Sequence, residues 1–176
     1  MGKPNLLFVF GDQWRASALG YTGDPNVKTP NIDRFFSESV NACNVVSGCP
    51  VCTPYRNSLL TGQYPLTHGA FINDVQGQSQ EVGLGAALGA GGYDTAWIGK
   101  WHAANGSRSA WIPPENRRGF AWFQALQCSH NYNKSFYYLN EDRTKYQWEG
   151  YDAFSQTDAT LDWIKGKRDA SKPFAL

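Results

Sequence analysis

Apolar residues follow two kinds of pattern along the chain. Leu6-Leu7-Phe8-Val9-Phe10 is a continuous apolar run between Lys3-Pro4-Asn5 and Gly11-Asp12-Gln13, which predicts a buried strand ending in a polar loop. A run apolar on both faces predicts a parallel strand covered by helices on each side. Ile32, Phe35, Phe36 and Val40 instead recur at helical spacing. With Thr29 as N-cap and Pro30 at the first helical position, they predict a helix near 30–39. Residues 41–51 are irregular and lead into Cys49-Pro50-Val51-Cys52-Thr53-Pro54, after which no breaker occurs until Gly62. Pro54 suits a first helical turn, so Cys52 is expected at or just before a helix N-terminus.

Val82, Leu84 and Leu88 predict a helix over 81–88 that stops at Gly91-Gly92. The β-prone segment 93–98 then predicts a second strand, ending in the cationic loop Gly99-Lys100-Trp101-His102. Residues 103–150 are rich in Asn, Ser, Gly, Pro and aromatics without periodicity, and read as an elaborated loop region with short strands near 135–139. The Trp and Tyr residues of 111–151 are expected to pack rather than to form a sugar-stacking platform. A last helix is expected at 154–165, and 173–176 opens another strand. This order predicts an α/β fold, a mostly parallel or mixed central sheet flanked by helices, with residues 1–176 in one domain.

Composition narrows the classes. With 176 residues, 41% hydrophobic and 15% aromatic, the chain is too apolar to be disordered, and 4 Cys are too few for a disulfide scaffold. Sixteen basic against 15 acidic residues leave a charge of +1, which favours neither nucleic acid nor a membrane surface as partner. No run approaches the roughly 20 apolar residues that span a bilayer, and no signal peptide is visible. As it stands the chain reads as cytoplasmic, with periplasm or secretion open if a leader was removed. Cys43, Cys49 and Cys52 cluster within ten positions, a distribution that suits reactive or metal-binding chemistry better than a staple framework.

Three polar groups would meet at the carboxyl edge of such a sheet: Asp12-Gln13, Cys52 with Arg56, and Lys100 with His102. A carboxylate and an amide oxygen are hard ligands for Ca²⁺ or Mg²⁺. Arg56, Lys100 and His102 suit a multiply charged oxyanion, and in an extended chain His102 would lie on the same side as Lys100. Metal and cations around a nucleophile form the layout for sulfuryl or phosphoryl transfer.

The segment Cys52-Thr53-Pro54-Tyr55-Arg56-Asn57-Ser58-Leu59-Leu60-Thr61-Gly62 closely resembles the signature of the formylglycine-dependent sulfatases, in the alkaline phosphatase superfamily. The first strand with its Asp12-Gln13 loop, Thr29-Pro30-Asn31-Ile32-Asp33, the stretch from Gly92-Tyr93 to Gly99-Lys100-Trp101-His102, and Lys172-Pro173-Phe174 are similar to further family segments. The resemblance implies an alkaline-phosphatase-like sheet and hydrolysis of a small-molecule or carbohydrate sulfate ester, as in arylsulfatases, with bound Ca²⁺ or Mg²⁺. It implies that a formylglycine-generating or anaerobic sulfatase-maturating enzyme converts Cys52 to formylglycine, which serves as nucleophile and metal ligand. Asp12 and Gln13 would be metal ligands, Arg56 would hold the hydrated aldehyde, Lys100 would bind sulfate, and His102 would hydrogen-bond the nucleophile or sulfate.

Two residues depart from the pattern: Gln13 stands where a second Asp is common, and Tyr55 where Ser is commonest. The family's later Asp-Asn metal ligands, a further Lys and a further His have no counterpart before Leu176. The chain is therefore expected to be the N-terminal part of a sulfatase, inactive alone.

Other readings compete. A phosphonate or phosphate monoester hydrolase of the same superfamily would use a similar nucleophile and metal. Cys49-Pro50-Val51-Cys52 has thiol-redox spacing, but such a module would not require Arg56 or Leu59-Leu60-Thr61-Gly62. A zinc site from Cys43, Cys49, Cys52 and His68 lacks a recognised ligand spacing. His68 and His130 have no comparable support as functional residues.

Overall fold

The β-prone segment before Gly99-Lys100 lies inside a five-stranded sheet in the computed structural model, which describes residues 2–78 and 81–176. The sheet belongs to one of two units, formed by residues 2–8 with Gly48–Leu176; Val9–Ser47 forms the other. Its strands are β1 (Asp94–Lys100), β2 (Trp122–Leu126), β3 (Phe136–Leu139), β4 (Asp142–Gln147) and β5 (Phe174–Ala175), in the order β4-β3-β2-β1-β5. β1 is parallel to both β2 and β5, whereas β2, β3 and β4 form an antiparallel meander. The sheet is therefore mixed, as the α/β reading allowed.

Alternation along β1 divides the core. Trp97 points to a cluster of Leu60, Trp101, Ile112, Phe120 and Phe123, while Ala96 and Ile98 face Trp163, Phe174 and Ile164. The first cluster is covered by α2 (Cys52–Thr61), against which the short α3 (Pro65–His68) packs, and by α4 (Leu84–Ala90), the second by the turns that follow α5 (Asp152–Asp162). Trp101 is fully enclosed and meets Phe123 edge to face at 5.1 Å. Truncating a ring so packed costs about 3–5 kcal/mol, so Trp101 anchors the backbone between Lys100 and His102.

β2 was not foreseen. Its residues Phe123 to Leu126 are buried on both faces, so it lacks the period-two alternation that reveals a half-exposed strand. The β3–β4 hairpin turns through Asn140-Glu141, with Asn140 at φ 49, a conformation Asn tolerates in such turns. Of the aromatics in 111–151, Phe120, Phe123 and Trp148 are buried and Tyr137 packs on Trp148 with ring centroids 4.1 Å apart.

The first apolar run differs from expectation. Leu6 makes only an isolated parallel bridge to Ala175, with Leu6 N–H donating to the Phe174 carbonyl and Phe8 N–H to that of Leu176. Leu7 and Phe8 are 54% and 55% exposed. The extended pairing is present, but an apolar run alone does not fix burial, which depends on what packs against the strand.

In the other unit the predicted helix is α1 (Pro30–Ser37), with Pro30 at its start. Thr29 occupies the N-cap position, but its hydroxyl donates to Asp33 Oδ1 and accepts from Gly20 N–H rather than capping the helix. Asp33 also receives Tyr21 N–H, and Tyr21 stacks on Phe36. The Thr-Pro-Asn-Ile-Asp segment thus clamps the Gly20–Thr22 turn.

Gly119 shows how closely α4 approaches the entry to β2. Its φ is +86, and a Cβ placed there would lie 2.3 Å from Ala86 N, whose N–H donates to the Arg118 carbonyl. Gly119→Ala is expected to lower stability by about 2–4 kcal/mol, from left-handed strain and overpacking together. Denaturant titration measures this, and an unchanged midpoint would contradict so close an approach.

Candidate functional site

Helix α2 begins at Cys52, after Val51 in an extended conformation. Val51 has no side chain able to cap the helix, and Asn73 supplies the missing acceptor: its Oδ1 receives Thr53 N–H at 2.9 Å. Pro54 has no N–H to satisfy, and Tyr55 N–H closes the first turn on Val51 O. The helix ends at Gly62, φ 69, as the breaker predicted. Half-buried Cys52 therefore sits at the positive end of a ten-residue helix.

Lys100, the last residue of β1, brings its ammonium to this point, with Nζ 3.4 Å from Cys52 Sγ. Buried Arg56, one turn into α2, donates through Nη1 to the Lys100 carbonyl, which also accepts Trp97 Nε1–H at 3.2 Å. Two donors on one carbonyl fix the strand end from which Lys100 extends. Arg56 thus acts on Lys100's backbone as well as adding positive charge.

His102 is 3% exposed, and its Nε2 lies 2.8 Å from Asp74 Oδ1. The alternation that would align it with Lys100 does not apply, because β1 ends at Lys100 and His102 has φ 49. Burial lowers its pKa below the ordinary histidine value, and the nearby Lys100 and Arg108 charges act the same way; the Asp74 hydrogen bond opposes them. Burial therefore favours the neutral form of the ring.

Arg108 grips Asp74 with Nε and Nη2, at 3.0 and 2.8 Å. These bonds, with that from His102, hold the Asp74 carboxyl well below the usual carboxylate range. Asp74 in turn raises the Arg108 pKa, through its hydrogen bonds and its charge. Lys100, Arg56 and Arg108 make the surroundings of Cys52 cationic, as an oxyanion requires.

Asn73, Asp74 and Arg108 were missed in the sequence. Asn73-Asp74 reads only as a turn dipeptide, and Arg108 lies in a Ser- and Gly-rich loop, so neither carried a periodic or spacing signal. His68 is structural: its Nδ1 accepts Ala70 N–H and its Nε2 pairs with Ser58 Oγ at 3.0 Å. With both ring nitrogens engaged, it is not the zinc ligand of the competing reading. Among the described residues, no three or more His, Cys, Asp or Glu side chains are grouped to hold a metal ion. Cys43, Cys49, Cys52 and Cys128 form no disulfide with one another.

A family model described as Sulfatase matches residues 4–176. This chain belongs to the sulfatase family. It is 46% identical over 172 residues to an ulvan-active sulfatase of Formosa agariphila, covering 98% of this chain and 34% of that protein. The solved putative sulfatase yidJ of Bacteroides fragilis superposes with a TM-score of 0.91 at 29% identity, over 98% of this chain and 42% of that one. A protein solved in complex with its substrate D-glucosamine-2-N,6-O-disulfate gives a TM-score of 0.80 at 25% identity, over 98% and 33%. The sulfatase chain thus spans about a third of the length of the curated relative it matches.

Asp12 and Gln13 of this sulfatase chain lie in the Val9–Ser47 unit, both exposed, with Gln13 at φ 57. A carboxylate and an amide oxygen are hard donors that fit Ca²⁺ or Mg²⁺ in kind, and they are part of the six to eight oxygens that Ca²⁺ takes. No described helix is long and apolar enough to cross a membrane.

Proposed function

We propose that this chain carries the nucleophile-bearing part of a sulfuric ester hydrolase that cleaves a sulfate monoester. The observation that carries the reading is the Lys100 ammonium 3.4 Å from Cys52 Sγ at the start of α2, inside the sulfatase signature. The relatives' names support a carbohydrate-borne sulfate, ulvan in one case and a disulfated glucosamine in another.

In this reading Cys52 is converted to formylglycine by a formylglycine-generating or anaerobic maturating enzyme, which supplies an oxygen nucleophile in place of sulfur. Asp12 and Gln13 would be ligands of a divalent cation, whose charge would offset that of the sulfuryl oxygens. Lys100 binds the sulfate and stabilises the negative charge that grows on it. Arg56 keeps Lys100 in place through its carbonyl and contributes to the hold on the modified residue. In this reading His102 takes up and returns a proton at the nucleophile or the leaving oxygen.

Turnover of a sulfated oligosaccharide, an aryl sulfate and an aryl phosphonate by the full-length gene product, co-expressed with a maturating enzyme, tests the proposal. Sulfate esters are expected to be hydrolysed far faster than the phosphonate. The reverse order would establish the phosphonate hydrolase reading, and failure on all three would reject both.

A further inference from the structure

Asp74 stands outside the sulfatase signature, yet it joins three parts of the site. Its Oδ1 accepts from His102 at 2.8 Å, its carboxylate is gripped by Arg108, and its backbone N–H donates to Thr53 Oγ1 at 3.2 Å. Thr53 follows Cys52 directly and gives its own N–H to the neighbouring Asn73. The Asn73-Asp74 pair is therefore tied to the start of α2, while its carboxylate is tied to His102.

The bonding also sets the histidine's tautomer. An ionised carboxylate only accepts hydrogen bonds, so the Nε2 it faces must carry the proton of a neutral ring. Nδ1 then holds the lone pair, and it is buried with no hydrogen-bond partner among the described residues. Leaving a buried acceptor unmet is unfavourable. Both ends of the Asp74–His102 bond also have left-handed backbone, with φ of 67 and 49, a conformation that residues other than Gly adopt uncommonly. Left-handed backbone and an unmet acceptor at the two ends of one bond, beside the nucleophile helix, mark a functional arrangement.

We propose that Asp74 is a positioning residue for His102: it commits Nε2 and leaves Nδ1 as the nitrogen that exchanges a proton in the reaction, with Arg108 holding Asp74 in that role. The inference rests on the sulfatase reading above for what the proton serves. Asp74, Lys100 and Arg108 are the charged groups acting on the ring, and of these only Asp74 can receive a hydrogen bond from it.

The test uses the full-length gene product with ¹⁵N-labelled histidine. In the unsubstituted protein, His102 is expected as the Nε2–H tautomer with Nδ1 unprotonated. Asp74→Ala is expected to lower kcat by about 10–100-fold, the usual scale for an orienting partner, with KM little changed and the tautomer mixed. Asp74→Asn retains an acceptor oxygen and is expected to recover part of kcat, which also guards against loss of folding in the alanine variant. An Nδ1–H tautomer in the unsubstituted protein overturns the proposal. So does Asp74→Ala with reduced thermal stability but unaltered kcat and tautomer, the behaviour of a mere staple between loops. If the unsubstituted protein hydrolyses no sulfate ester, the sulfatase reading fails separately, and the tautomer alone upholds or overturns the hold of Asp74 on His102.

Discussion

Cys52→Ala is expected to reduce kcat/KM of the full-length gene product toward its sulfate ester by about 10⁴–10⁶-fold, the scale on which loss of a nucleophile is felt. The side chain sits at the start of α2, where the helix dipole and the Lys100 ammonium favour negative charge. Alanine keeps the helix start intact, since the Asn73 cap and the Pro54 turn do not use the sulfur. The loss should therefore appear in turnover and not in folding. Mass spectrometry of the peptide carrying Cys52 adds a second reading, expected to show sulfur and two hydrogens replaced by one oxygen. Cys49→Ser should leave turnover near that of the unsubstituted protein, whereas a thiol-redox module would lose its activity. Retention of activity by Cys52→Ala would sink the assignment.

Lys100→Ala is expected to cost about 10²–10³-fold in kcat/KM, comparable to removing one preorganised donor from a developing oxyanion. Arg56 and Arg108 remain in this variant, so the surroundings of Cys52 stay cationic, and the effect reports the specific ammonium at 3.4 Å from Sγ. Lys100→Arg should restore only part of the rate, because a planar fork does not replace a compact point charge on the same stem. The Lys100 carbonyl is a backbone group, so its bonds from Arg56 and Trp97 survive both substitutions. An alanine variant within a few-fold of the starting rate would show that the sulfate is held elsewhere.

The difference between these two residues and Asp74 illustrates what could be read in advance. Cys52, Arg56 and Lys100 lie in short segments with distinctive residue types, and the structure brings them to one helix start. The role of Arg56 was less legible, because its observed bond is to a carbonyl 44 residues away. The same holds for His102, whose partner lies 28 residues earlier in what reads as a plain turn. Asp12 and Gln13 were legible from their place after the first apolar run and from the resemblance of that segment to the family's first strand and metal loop.

By itself the sequence determined the local elements that a few neighbouring residues control. Pro30 starts a helix and Pro54 sits in the first turn of another, Gly62 and Gly91-Gly92 end helices, and the β-prone run before Gly99 forms a strand. These signals act through backbone sterics and hydrogen bonds within a turn or two, so they survive without knowledge of the fold. Tertiary structure decided the rest: the exposure of Leu7 and Phe8, the burial of β2, the capping of α2 by Asn73, and the Asp74–Arg108 grip on His102. Each depends on groups 20 or more residues apart in the chain or on what packs over a surface. Such contacts form only when the whole sheet closes the intervening loops, which no short window of residues encodes.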